Sequence, residues 1–177
     1  MPAPLALLSA ALALFLSFAI SNKASKFGLA VATRFLERGS VVPPGNLPLT
    51  AETLDRWRSD PDNRAYVQGY ASCILPLDVA FLLSLGSFFG FGSTALAGLI
   101  DVPNSGELLL WVFPVLYMAT DLTEDMLIRG ILLSPSSPAG RFAFMRRMTK
   151  AKVATSIVCF AQVFVLSIWS ILRWAIP

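Results

Sequence analysis

Asp121, Glu124 and Asp125 stand at i, i+3 and i+4 in the string Asp-Leu-Thr-Glu-Asp, so a helix carries all three carboxylates on one face. A fourth acid, Asp78, lies inside the preceding apolar stretch. Carboxylates grouped this way have three chemical uses. They bind an ion or a proton, they hold a divalent cation through oxygen ligands, or they neutralise basic side chains and lock helices together. The basic candidates are Arg129, one helical turn beyond Asp125, and Lys150 and Lys152, which follow in the next connector.

The elements that must position these residues are apolar helices. Of 177 residues, 55% are hydrophobic and only 14% are charged, and mean hydropathy is +0.66. A soluble chain of this length has too little interior to hide that much apolar surface, so lipid is the expected solvent. The expected fold is an all-α integral membrane protein with four transmembrane helices, about residues 4–20, 70–92, 108–130 and 153–172, in one membrane domain. Polar connectors occupy 21–65 and 131–152. In the first connector Phe27, Val31 and Phe35 share a helical face among Lys26, Arg34 and Arg38, as in a short interfacial amphipathic segment or a continuation of the first span. Thr50 is a candidate cap for a short helix through Arg58, and Asp60-Pro61 reads as a fresh helix start.

Lys and Arg are distributed asymmetrically. Lys23, Lys26, Arg34, Arg38, Arg56, Arg58 and Arg64 fall in the first connector, and Arg129, Arg141, Arg146, Arg147, Lys150 and Lys152 at or in the third. The connector 101–107 has two acids and no base, and only Arg173 lies at the opposite end of the fourth span. By the positive-inside rule both termini face outward, with the basic connectors on the cytoplasmic or matrix side of a bacterial or organellar inner membrane. Trp111, Trp169 and Trp174 then fall at the outer interface. The first span lacks the basic leader of a cleavable signal and is read as a retained helix.

That topology fixes depth. At ~1.5 Å per residue Asp121 lies roughly 20 Å below the outer end of the third span, and Asp78 about 12 Å above the inner end of the second. The two acids therefore come to similar depth on neighbouring helices, with Asn22 offered near that level by the first span and Thr155, Ser156 and Gln162 by the fourth. A single inner-half network is expected, holding Asp78 and Asp121 with at least one of Arg129, Lys150 or Lys152.

Small residues mark the expected helix packing. Ser9, Ala13, Ser17 and Ser21 recur every four residues in the first span, the first three expected against another helix, and Gly86 and Gly90 form a GxxxG pair in the second. Pro76 is expected to kink the second span, and Gly86, Gly90 and Gly92 to bend or end it, leaving Ser93–Ile100 as an interfacial piece.

The chain has no His, which removes His-ligated haem, His-bearing zinc sites and Ser-His-Asp chemistry. Cys73 and Cys159 lie inside apolar stretches without metal-ligand spacing and read as packing residues. No cofactor, metal site or catalytic residue is assigned. The net charge of +3 is explained by orientation in the membrane, so nucleic acid is not an expected partner.

The segments Leu75-Pro76-Leu77-Asp78, Tyr117 to Asp125 and Thr149-Lys150-Ala151-Lys152 resemble those of a scattered, uncharacterised family of small four-span membrane proteins, mostly bacterial. Its members carry Pro-x-Asp in one span and Asp-x-x-Glu-Asn/Asp in the next. Asp125 stands here at the Asn/Asp position. The resemblance brings no activity with it, and implies only that Asp78, Asp121 and Glu124 belong to one site.

The preferred functional reading is structural: an accessory subunit or scaffold of a larger membrane complex, with the lipid bilayer and other membrane subunits as partners. The alternatives are a small ion- or proton-coupled transporter or channel using Asp78 and Asp121, and a divalent-metal-dependent lipid-modifying enzyme. The sequence leans away from an enzyme.

Overall fold

A computed structural model describes residues 2–27, 51–134 and 139–175. The described residues are 96% helical, with no strand among them. In chain order the helices are α1 (Pro2–Phe27), α2 (Ala51–Ser59), α3 (Arg64–Gly69), α4 (Leu75–Leu99), α5 (Asn104–Glu107), α6 (Val112–Leu133) and α7 (Ala139–Ala175). α4 is central and touches α1, α6 and α7, while α6 and α7 form an antiparallel hairpin. The amphipathic segment expected around Phe27, Val31 and Phe35, and the Thr50 cap, lie outside the described side chains and residues.

Three stretches are long and apolar enough to cross a membrane: Pro2–Lys23, Pro61–Leu99 and Ala139–Ala175. The stretch expected as a third span, 108–130, is not among them. Its helix α6 is of spanning length, but Asp121, Glu124, Asp125 and Arg129 interrupt its apolar character.

The helices outrun the expected spans. α7 begins at Ala139, so the basic run Arg141–Lys152 is helix rather than connector, and α7 extends roughly 55 Å at 1.5 Å per residue. That exceeds a hydrocarbon core of about 30 Å. Basic side chains at helix positions are good helix formers, which is why the connector shrinks to a few residues.

Beside Pro76, where a kink is expected, the helix changes type. The proline ring would clash with the carbonyl one turn earlier. The chain answers with a π turn at Tyr70–Ile74, where the Leu75 N–H donates to the Tyr70 carbonyl. The break expected at Gly86–Gly92 does not occur, and α4 runs unbroken to Leu99. These glycines are notches. A Cβ at Gly86 would collide with the Met118 side chain, and one at Gly90 with the Trp111 ring. Trp111, expected as an interfacial anchor, is half-buried there and meets Phe91 edge-on at 4.9 Å.

The small-residue stripe of α1 also differs from expectation. Ala6, Ala13 and Leu16 are buried and Ser9 is half-buried, but Ser17 is exposed. A strict four-residue repeat drifts around a helix of 3.6 residues per turn, so Ser17 rotates out of the seam. The face against α4 follows Ala6, Ser9, Ala13, Leu16 and Ile20 instead, close to a heptad spacing.

Two apolar layers fill the bundle. One joins Val67, Tyr70, Ile74, Leu75, Ile128, Ile131, Leu132, Phe142 and Met145. The other joins Phe89, Tyr117 and Cys159, with Phe89 meeting the Tyr117 ring at 6.0 Å and the Phe160 ring at 4.8 Å, both edge-on.

Arginine closes helix ends on both sides. Arg58 of α2 pairs with Asp55 at 2.8 Å and donates to the carbonyls of Ile131, at 2.8 Å, and Ser134, at the C-terminal end of α6. Arg173 of α7 donates to the Ile100 carbonyl beyond α4 and pairs with Asp101 at 2.6 Å. Asp101 has φ 54° and the Val102 N–H reaches back to the Ala97 carbonyl at 3.1 Å, a Schellman-type ending with Asp where Gly is usual. Asp60 caps the turn at Pro61–Asn63 by accepting from the Asp62 N–H at 3.1 Å, as its sequence predicts.

These seams predict two contrasts in thermal unfolding of the detergent-solubilised protein. Gly86→Leu is expected to lose about 1–3 kcal/mol by overpacking, whereas Gly98→Leu, with nothing within 4 Å, is expected to be neutral. Likewise Ala13→Leu should destabilise and Ser17→Leu should not. Equal behaviour within either pair would contradict the assigned packing.

Candidate functional site

The site is built by the α6–α7 hairpin. On α6 the residues Pro114, Tyr117, Asp121, Glu124, Asp125, Ile128, Ile131 and Leu132 are buried, which is one stripe of a helix with a polar band in its middle. On α7 the buried residues Phe142, Met145, Thr149 and Cys159 form the facing stripe.

The bands meet in antiparallel register. Lys152 Nζ lies 2.6 Å from Asp121 Oδ1 and 2.9 Å from Glu124 Oε2. The Thr149 hydroxyl, one turn away, donates to Glu124 Oε1. An i, i+3 pair on α6 therefore faces an i, i+3 pair on α7, and both Glu124 oxygens are occupied. Thr120 and Thr155 extend the contact with their hydroxyls 3.5 Å apart. The site lies between the two apolar layers, since Ile128 and Met145 belong to one and Tyr117 and Cys159 to the other.

Burial is deep on the acid side. Asp121 is 2% exposed, and Glu124 and Asp125 are 4% exposed each. The Lys152 side chain is 29% exposed, so its stem reaches in from the surface of the bundle. Asp78, in the first turn of α4, is half-buried and within electrostatic range of Lys152, Asp121 and Glu124. Asp125 is within range of the same groups and of Asp78.

Of the sequence candidates, Asp78, Asp121, Glu124, Asp125 and Lys152 thus come to one place. Arg129 does not. It is exposed at the flank of the buried face of α6, and among the described residues no ion pair joins it to Asp125. Asp125 is buried in the seam, while Arg129, about 40° round the helix, keeps its guanidinium solvated at the edge of the bundle. Lys150 is likewise exposed, because it lies on the far face of α7 from Lys152.

Gln162 leaves the expected level altogether. It lies roughly 15 Å further along α7 than Lys152, and its Nε2 donates to Ser93 Oγ at 2.8 Å and to the Leu110 carbonyl at 2.9 Å. It ties α7 to α4 and to the 3₁₀ turn Leu108–Trp111. Ser156 turns to its own helix, donating to the Val153 carbonyl at 2.8 Å. Thr149 is the site residue that sequence reasoning missed. A hydroxyl three residues before the lysine was the available signal.

Chemically the arrangement is a clamp. Asp121 and Glu124 are both engaged by Lys152, and among the described residues no three acidic or thiol groups gather so as to hold a metal ion. No protein-family model, no curated protein and no solved structure matches the chain.

Breaking the clamp from its two sides should differ. Lys152→Ala is expected to destabilise by about 3–5 kcal/mol, because buried carboxylates lose their countercharge. Asp121→Asn keeps the Lys152–Glu124 contact and should be milder, and Arg129→Ala should lie within about 0.5 kcal/mol of wild type. Unfolding in a graded denaturing detergent checks the order; equal losses for Lys152→Ala and Arg129→Ala would refute the clamp.

Proposed function

We propose that the protein is a four-span integral membrane protein, with both termini outside, that serves as a structural accessory subunit or scaffold of a larger membrane complex. The observation that carries this reading is that its buried acids face a lysine across a helix interface rather than a cavity. A further support is the outer half of α7. Val158, Ala161, Val165, Ile168 and Leu172 are exposed along one face, an apolar surface that suits lipid or the helix of another membrane protein. α6 crosses as the third span with its acids Asp121, Glu124 and Asp125 turned inward onto α4 and α7, where lipid does not meet them.

In this reading Arg141, Arg146 and Arg147 on the inner length of α7 sit at or beyond the anionic headgroups, and Arg173 with Trp169 and Trp174 marks the outer boundary. A transporter or channel is the second reading. Asp125 favours it, since one of its buried oxygens has no partner among the described residues. The metal-dependent lipid enzyme has no comparable observation behind it.

Two experiments test the proposal. With Cys73 and Cys159 replaced, a single cysteine at Ser105 should label from outside the membrane and one at Ser59 only after permeabilisation; labelling of Ser59 from outside would overturn the topology. Purification in a mild detergent should yield a stoichiometric membrane-protein partner. A protein that purifies alone and conducts cations or protons in liposomes would decide for the second reading.

A further inference from the structure

The acid cluster holds more negative charge than the clamp can balance. Asp78, Asp121, Glu124 and Asp125 share the electrostatic surroundings of a single ammonium, that of Lys152. Arg129 and Lys150 are exposed, and neither forms an ion pair with these acids among the described residues. Lys152 takes Asp121 and Glu124, and Thr149 takes the other Glu124 oxygen. Asp125 is 4% exposed, and its Oδ2 has neither hydrogen bond nor ion pair among the described residues.

An ionised carboxylate in that position, with three other acids around it and no countercharge of its own, is strongly disfavoured in a low-dielectric interior. A divalent cation does not answer the imbalance, because the described groups do not converge as metal ligands. One proton does. It converts Asp125 into a neutral acid, and it needs no cavity.

Asp78 supplies the way in. It lies on α4 across from α6, within electrostatic range of Asp125, and it is half-buried rather than sealed. Tyr70 is buried on the same side, within range of both acids. The groups facing Asp125 are therefore Tyr70 from the π turn, Asp78 from α4, Asp121 and Glu124 from its own helix, and Lys152 from α7.

We infer that Asp125 is a proton-binding site, held as the neutral acid inside the bundle and exchanging its proton with the surroundings through Asp78. Binding is a simple protonation: the Asp125 carboxylate takes one proton from water or hydronium by way of Asp78, and release returns it along the same route. The site stands whether or not the protein docks on other subunits, and it gives the second functional reading a specific ion.

The test is infrared spectroscopy of the protein in liposomes at neutral pH. A carbonyl band of a protonated carboxyl group, shifting on transfer from H₂O to D₂O, is expected in the folded wild type and should vanish when the same sample is unfolded at that pH. Asp125→Asn should remove the band, Asp121→Asn should leave it, and Asp78→Asn should leave it but slow its exchange into D₂O severalfold. The unfolding comparison needs no variant, so it decides even if Asp125→Asn fails to fold. Absence of the band in the folded wild type, its survival in Asp125→Asn, or its loss on adding sodium at constant pH would each overturn the inference, the last by assigning the site to a monovalent cation.

Discussion

A single ammonium group buried between two helices sets the geometry of this protein. Lys152 cannot enter an apolar interior without carboxylates, and Asp121 and Glu124 cannot remain there ionised without it. Their mutual requirement fixes which residue of α6 stands opposite which residue of α7. Once Asp121 faces Lys152, Glu124 falls opposite Thr149 and Ile128 reaches the apolar layer of Met145. A slip of one turn in either direction would separate Lys152 from Asp121 or from Glu124. An ion pair of this kind adds little net stability over a well-packed hydrophobic pair, but it penalises the wrong register heavily.

Around that contact the bundle is closed by ordinary means. Apolar layers lie on both sides of the polar band, glycine notches on α4 admit Met118 and Trp111, and Gln162 gathers three segments by two hydrogen bonds. Arg58 and Arg173 do the same work at opposite ends, each donating to carbonyls that a helix terminus leaves without partners. From Val153 onward the exposed surface of α7 is mainly apolar, while Arg141, Arg147 and Lys150 are exposed on its N-terminal part.

The all-helical class was legible from composition, and counting residues along successive helices set Asp78 near the level of Asp121, which lies within its electrostatic range in the bundle. That arithmetic works because rise per residue is constant. It failed for Gln162, since it assumes that each span begins where apolarity begins, and α7 starts well before that point. Choosing Lys152 over Arg129 and Lys150 was beyond the sequence, because helical phase at the hairpin depends on where the turn between α6 and α7 falls. The Ser17 assignment failed for a related reason: spacing of four and spacing of 3.6 agree over one turn and diverge over two. Glycine was misread as a break where neighbouring side chains fill the space of the missing Cβ, a fact about α6 that nothing in α4 records.

The central claim is that Lys152 and Asp121 act as one unit across the α6–α7 interface. A double-mutant cycle on stability in detergent, using Asp121→Asn, Lys152→Met and the combination, measures that directly. The account predicts a coupling of about 2–3 kcal/mol, the double variant being far less damaged than the sum of the singles. Losses that add to within about 0.5 kcal/mol would show that the two side chains act independently and would contradict it.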